Sequence, residues 1–151
     1  MCVCLNGAPL ALSLRFTLSA LACHPCFTDF WNPVDAIAKF AAHTSWAFGI
    51  PGCYSTNTSG IAAAAAMGAA ADSVVLVVGT DLGWAHEGHD ADPVTGLTLP
   101  PAQAQLIQEV AAAAKRPVTV VTMTSTPLDL SDVLSNPSVG AVLHVGQPSV
   151  A

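Results

Sequence analysis

The sequence predicts an α/β fold with a mostly parallel sheet and flanking helices. Three observations carry this. First, "SVVLVVGT" at 73–80 is apolar at nearly every position, the pattern of a parallel strand covered on both faces. Second, "PVTVVTM" and "VGAVLHV" further along repeat that pattern and predict two more buried strands. Third, "LPPAQAQLIQEVAAAAKR" places proline near a helix start and sets Leu106, Ile107, Val110 and Ala114 on one helical face. Strand, helix, strand, turn and strand at these spacings specify a parallel layer structure. There is no repeat of solenoid length.

The remaining elements follow in order. In "WNPVDAIAKFAAHTS", Pro33 suits a first helical turn, and Val34, Ile37, Ala38 and Phe40 give a partial apolar stripe. "WAFGIPGC" predicts a short strand ending at a Pro-Gly turn. "STNTSGIAAAAAMGAAADS" predicts an alanine-rich helix, capped by Ser or Thr, whose small residues suit close packing on a sheet. "PLDLSDVLSN" predicts a short helical turn. Lys115 and Arg116 fall at a predicted helix end, where positive charge suits the dipole.

Residues 1–30 read differently from residues 31–151, and the domain boundary is placed between them. "GAPLALSLRFTLSALAC" is apolar, and Ala20 and Ala22 give the small-residue pattern of a leader cleavage site. Arg15 interrupts the run and no basic residue precedes it, so a non-native start is favoured over a leader. The run is too short and broken for a membrane span. Five cysteines, Cys2, Cys4, Cys23, Cys26 and Cys53, form an odd set. "CHPC" at 23–26 invites a redox or zinc reading. A redox motif should follow a strand, however, and nothing upstream reads as one. Zinc would need a second ligand pair, for which Cys2-x-Cys4 is poorly spaced. No cofactor or metal is expected.

Of 151 residues, 52% are hydrophobic and only 9% charged, so the chain has ample material for a core and an outer face suited to packing on another domain. A formal net charge of −6 excludes a nucleic-acid partner, because nothing here neutralises phosphates. Asn57-Thr58-Ser59 is a glycosylation sequon and favours an extracellular or vesicular location.

The chemistry concentrates at 79–97. There Asp81, His86, Glu87, His89, Asp90 and Asp92 gather in a chain otherwise poor in charge. Ligand crevices in parallel sheets lie beyond the carboxyl ends of strands, where this loop emerges. Four readings compete. "HEGH" spaces its histidines three apart with glycine between them, which is not the helical zinc motif. "VVGTDLG" has glycines after a strand but neither G-x-G-x-x-G nor a P-loop lysine. A solvated acidic loop is the usual meaning of a charge run, yet Trp84 is costly to leave on an idle loop. The last reading is a glycosidase acid/base carboxyl: Glu87, one of two glutamates in the chain, beside an aromatic ring that can raise its pKa.

"SVVLVVGTDLGWAHEGHD", "LTLPPAQAQLIQEVAAAAKRPVTVVTMTSTPLDL" and "VGAVLHVGQPSV" together resemble the C-terminal domain of family 3 glycoside hydrolases, in the β-xylosidase and β-glucosidase branch. The likeness starts near "NPVDAIAKF" and reaches the chain end. It implies that 31–151 form a partial (α/β)6-sandwich layer. It also implies retaining, exo-acting hydrolysis of β-linked sugars, from a β-linked oligosaccharide or aryl glycoside, with Glu87 as general acid and then base. Asp81, Trp84, His86, His89 and Asp90 would shape the loop or touch substrate. The nucleophilic aspartate would belong to an N-terminal barrel domain outside these residues, and the chain by itself is expected to be inactive.

Departures from the family pattern are Ala91 where arginine usually follows the aspartate, an altered "ADPVTG", and no second cysteine near Cys53. Preference between xylose and glucose stays open. So does the rival reading, a non-catalytic sugar- or small-ligand-binding α/β module. His43 and His144 read as structural.

Overall fold

A computed structural model describes residues 1–6, 33–81, 88–92, 97–124 and 126–146. Its elements are β1 (Cys2–Asn6), α1 (Pro33–Ala38), β2 (His43–Ala47), α2 (Ile61–Ala70), β3 (Ser73–Gly79), α3 (Pro101–Ala113), β4 (Val118–Met123), α4 (Ser131–Ser135) and β5 (Val139–Val145). The sheet has the order β2-β1-β3-β4-β5. β3 pairs β4 and β4 pairs β5 in parallel, whereas β1 is antiparallel to both its neighbours. β2, β3, β4 and β5 therefore share one direction. The fold is the expected α/β layer with a mostly parallel sheet.

The strand at Cys2–Asn6 corrects the sequence reading, which had no strand upstream of the apolar N-terminal run. Cys2 and Cys4 lie two apart on one face, opposite Leu76 and Val74, and both are fully buried. Cysteine behaves there as a small hydrophobe. Their Sγ atoms are 3.6 Å apart, and both are free thiols. The hydrogen bond to Cys4, together with burial, pushes the Cys2 pKa far up, so it stays protonated in the core. Cys23 and Cys26 lie outside the described residues.

The crossovers from β2 to β3, β3 to β4 and β4 to β5 all step the same way across the sheet. Right-handed connections then put α2, α3 and α4 on one face. On that face Val74, Leu76, Val78, Val118 and Val120 form one core with Leu106, Ile107 and Val110 of α3. The alternate residues Val75, Val77, Val121 and Met123 are only half-buried. Among the described residues, β3 and β4 are thus fully covered on one face and partly covered on the other. β5 departs further. It is the sheet's outer strand, with Ala141, Leu143 and His144 exposed, not the buried strand its apolar text suggested. His144 Nδ1 lies 2.8 Å from Thr122 Oγ1 on the adjacent strand.

Several local expectations also change. α1 stops at Ala38, which leaves Phe40 past its end and 93% exposed, so Phe40 takes no part in the stripe. β2 starts at His43 and stops before Phe48. The N-cap of α2 is Gly60, with no side-chain cap, because the nearby polar groups are engaged locally. Asn57 Oδ1 accepts from Ser59 N at 3.0 Å, and Ser55 Oγ accepts from Asn57 N at 3.1 Å, which are Asx- and Ser-turn contacts. α2 packs closely on α3, where a Cβ on Gly68 would lie 3.1 Å from Val110 Cγ1. Lys115 lies beyond α3, and its ammonium donates to the Ala70 carbonyl at the end of α2, 3.0 Å away. It complements the neighbouring helix, not its own. Among the described residues no helix is long and apolar enough to cross a membrane.

Candidate functional site

The site is built where β3 ends. Gly79 has φ +148°, and a Cβ there would sit 1.7 Å from the Met123 carbonyl oxygen. Only glycine fits both demands. The glycine after this strand therefore serves a close approach to β4, and Thr80 N–H completes it by donating to Met123 O at 3.0 Å. Thr80 and Thr124 hydroxyls meet at 2.7 Å. Thr124 donates its one proton to Thr126 O at 2.7 Å, so Thr80 must be the donor between the two. These bonds tie the carboxyl ends of β3 and β4 together.

A third tie comes from α3. Pro100 and Pro101 start the helix, which leaves Gln103 in its first turn. Helical side chains tilt toward the N-terminus, and Gln103 accordingly reaches the carboxyl end of β3. It is 2% exposed. Its Oε1 accepts from Gly79 N at 2.7 Å, and its Nε2 donates to Gly79 O at 2.7 Å and Cys53 O at 2.9 Å. One side chain joins helix, strand end and the turn after β2.

Tyr54 supplies the fourth tie. Its hydroxyl donates to Asp81 Oδ1 at 2.7 Å and accepts from Asp81 N at 2.9 Å. Burial, then the bond to Asp81, push the phenol up to about 12. Burial and the Asp81 charge also push the Cys53 thiol up. Beside Cys53 an open pocket of about 250 Å³ lies at the carboxyl ends of β2, β3 and β4. Phe48, Ile50, Cys53, Thr80, Gln103 and Met123 line its mostly apolar wall. This is where ligand crevices form in parallel sheets.

Of the predicted site residues, Asp81 stands at the root of the loop, seated on Tyr54. His89 and Asp90 are exposed beside Gly88, which has φ +79°. Glu87, Trp84 and His86 lie outside the described residues. The loop returns at Leu97, whose carbonyl accepts from Asp129 N, while Thr98 bridges Asp129. Asp129 in turn accepts from Ser131 N and Oγ at 2.9 and 2.6 Å, and these bonds hold its carboxyl below the usual range. The loop thus leaves β3 and lands beside the connection from β4 to α4.

Sequence reasoning missed Tyr54, Thr80, Gln103 and Thr124. Gln103 had a signal. It precedes Leu106, Ile107 and Val110 by three, four and seven residues, so it is a polar residue in the apolar stripe. Tyr54 had none, since its contact spans 27 positions.

Comparison with known proteins agrees with this architecture. The glycosyl hydrolase family 3 C-terminal domain matches residues 15–151. "Probable beta-D-xylosidase 7" of Arabidopsis thaliana is 34% identical over 143 residues, covering 95% of this chain and 18% of its own length. "Beta-xylosidase/alpha-L-arabinofuranosidase 2" of Medicago sativa subsp. varia is 37% identical over 127 residues, covering 84% of this chain and 16% of its own. The chain spans less than a fifth of these relatives. Among solved structures, a GH3 exo-beta-xylosidase (XlnD) in complex with a xylobiose aziridine activity based probe matches with a TM-score of 0.58 and 27% identity, over 64% of this chain and 12% of that one.

Proposed function

The chain belongs to glycosyl hydrolase family 3, within its C-terminal domain, and from that premise we propose that it supplies the acid/base loop of a retaining, exo-acting β-xylosidase. The observation that carries this is the placement of the 79–97 loop. Both its ends are fastened at the carboxyl side of the sheet, beside an open pocket, and its middle carries Glu87, one of only two glutamates. The names of the relatives favour xylose-terminated substrates over glucose-terminated ones.

In the first step, the Glu87 carboxyl donates its proton to the departing glycosidic oxygen while a carboxylate of the barrel domain attacks the anomeric carbon. The bond to the leaving group breaks and a glycosyl-enzyme forms. In the second step, Glu87, now a carboxylate, takes a proton from the attacking water. Retention requires the two carboxyls to lie about 5–5.5 Å apart, so the loop must reach the barrel at a fixed distance.

Glu87→Gln in a full-length relative carrying this loop tests this. Turnover of natural xylosides is expected to fall by roughly two to four orders of magnitude, the usual span of acid–base help. On an activated aryl xyloside the first step should suffer less, because that group leaves without a proton. Azide should then restore the second step, since it attacks with no proton to remove. Equal losses on both substrates with no azide effect would rule Glu87 out.

A further inference from the structure

We infer that Gln103 is the positioning residue of this loop, acting through Gly79 and the turn at Cys53, an inference that rests on the acid/base reading only for what the loop carries. The geometry stands without it. On the β1 side of β3, Val77 N donates to Met1 O at 2.9 Å, where the ladder with β1 ends. Strand peptides alternate in direction, so Gly79 is the next residue to present its N–H and C=O to that side. Both groups are taken by the Gln103 amide, each at 2.7 Å. A primary amide has the donor and acceptor of a peptide group, so Gln103 continues the ladder one step past the last strand partner. Its remaining N–H reaches Cys53 O at 2.9 Å and carries the same tie to the turn after β2.

A packing role alone does not account for glutamine here. The position belongs to a buried apolar stripe with Leu106, Ile107 and Val110, where packing by itself would call for an apolar side chain. Burying an amide is unfavourable unless its hydrogen bonds are made, and its bonds to Gly79 and Cys53 go to the loop root and to the adjacent turn. Gly79 cannot be held from within, because glycine is required there and is the most permissive residue. The strand end that must be glycine is thus the strand end that needs an outside clamp.

The test uses the 151-residue chain, with hydrogen exchange resolved by residue and a carboxyl-labelled glutamate spectrum. With only Glu87 and Glu109 present, that spectrum has two signals. Glu109, bonded to Gln105 on exposed helix surface at 2.7 Å, serves as the internal control. Gln103→Leu keeps the bulk and removes the amide. The amides of Gly79 and Asp81 should then exchange roughly tenfold faster or more, as local opening replaces lost bonds, while Val110 and Val120 keep their protection. The Glu87 signal should move and the Glu109 signal stay.

Gln103→Glu supplies the rescue. A carboxyl in this buried place titrates high. Protonated, it again offers one donor and one acceptor to Gly79. As pH rises it loses the donor, and the carboxylate then faces the Gly79 and Cys53 carbonyls with no proton between them, a repulsion that should open the clamp and lower protection at Gly79. If Gln103→Leu leaves Gly79 and the Glu87 signal unchanged, the inference is overturned. Equal loosening of Gly79, Val110 and Val120 would also overturn it, since that marks an ordinary core residue. Should Gln103→Leu fail to fold, the pH-dependent protection in Gln103→Glu decides by itself. Failure of the acid/base reading would appear instead in Glu87→Gln, as full turnover or as equal losses on both substrates with no azide effect, with these exchange results intact.

Discussion

The root and the middle of the 79–97 loop are held in opposite ways. From Gly79 to Asp81, each residue is fixed by contacts from outside its own strand: Gln103 on Gly79, Thr124 on Thr80, Tyr54 on Asp81. From Gly88 to Asp92, by contrast, all residues but Ala91 are exposed. The chain places its side-chain ties where the loop departs, those on Gly79 and Thr80 buried, and leaves most of 88–92 facing outward. A loop serving a site completed by another domain needs this division. Its root must be placed by its own domain, while its working stretch meets a surface supplied from elsewhere. A substitution at Gly79 should therefore be costly in the chain alone, and one that only removes the charge of exposed Asp90 nearly silent there.

The sharpest way to break that contrast is Gly79→Ala. The added Cβ would fall 1.7 Å from the Met123 carbonyl oxygen, a backbone atom of a central strand that cannot swing aside. The residue must also keep φ near +148°, which a residue with a Cβ adopts only with strain. The two effects together predict a loss of about 2–4 kcal/mol in denaturant unfolding. Gly88→Ala is the control: φ is +79° there too, but nothing lies within 4 Å of the new Cβ. Its cost should be about 1 kcal/mol, the conformational part alone. Equal losses at the two glycines would mean that the close approach to β4 is not what fixes the root.

This division also explains what the sequence disclosed. β3, α3 and β4 were legible because long apolar runs and a helical stripe report burial directly. β1 was not: "CVCLN" is five residues long, and its place between β2 and β3 depends on pairing with partners some 40 and 70 positions away. β5 misled because its apolar text reports what the strand is built to touch, not what covers it among the described residues. The loop was legible as a place for chemistry through its charge and its position after a strand. Its fastening was largely hidden, because side-chain bonds such as Tyr54 to Asp81 leave no periodicity.

A smaller effect sharpens the comparison at Asp81. Tyr54 is the chain's only tyrosine, so its ultraviolet titration is read without interference from another phenol. An ordinary phenol titrates near ~10, and this one is pushed up to about 12. The folded state thus favours the protonated hydroxyl that donates to Asp81. That contribution is complete below the unfolded value and is lost as pH rises from about 10 toward 12. Tyr54→Phe should cost about 1 kcal/mol or less at neutral pH, since the hydroxyl is partly exposed, and should abolish the dependence above pH ~10. A midpoint at the ordinary phenol value would show that the Tyr54 tie is not maintained in solution.

The smallest effect is expected at Asp90. Asp90→Asn keeps the shape of the side chain and removes one charge at an exposed position. Water screens such a charge well, so its Coulomb energy with any neighbour is small and burial adds no penalty. In the 151-residue chain, stability should stay within about 0.5 kcal/mol of the parent. A full-length relative carrying this loop separates the two roles proposed for this residue. If Asp90 touches substrate, KM rises with kcat nearly unchanged, because that contact is shared by ground and transition states. If Asp90 shapes the loop, kcat falls by about tenfold or less, with no azide rescue and no difference between activated and natural xylosides. Either outcome keeps it apart from Glu87. A loss matching Glu87→Gln, rescued by azide, would instead make Asp90 the acid/base. Marked unfolding of the isolated chain would remove the contrast between root and middle altogether.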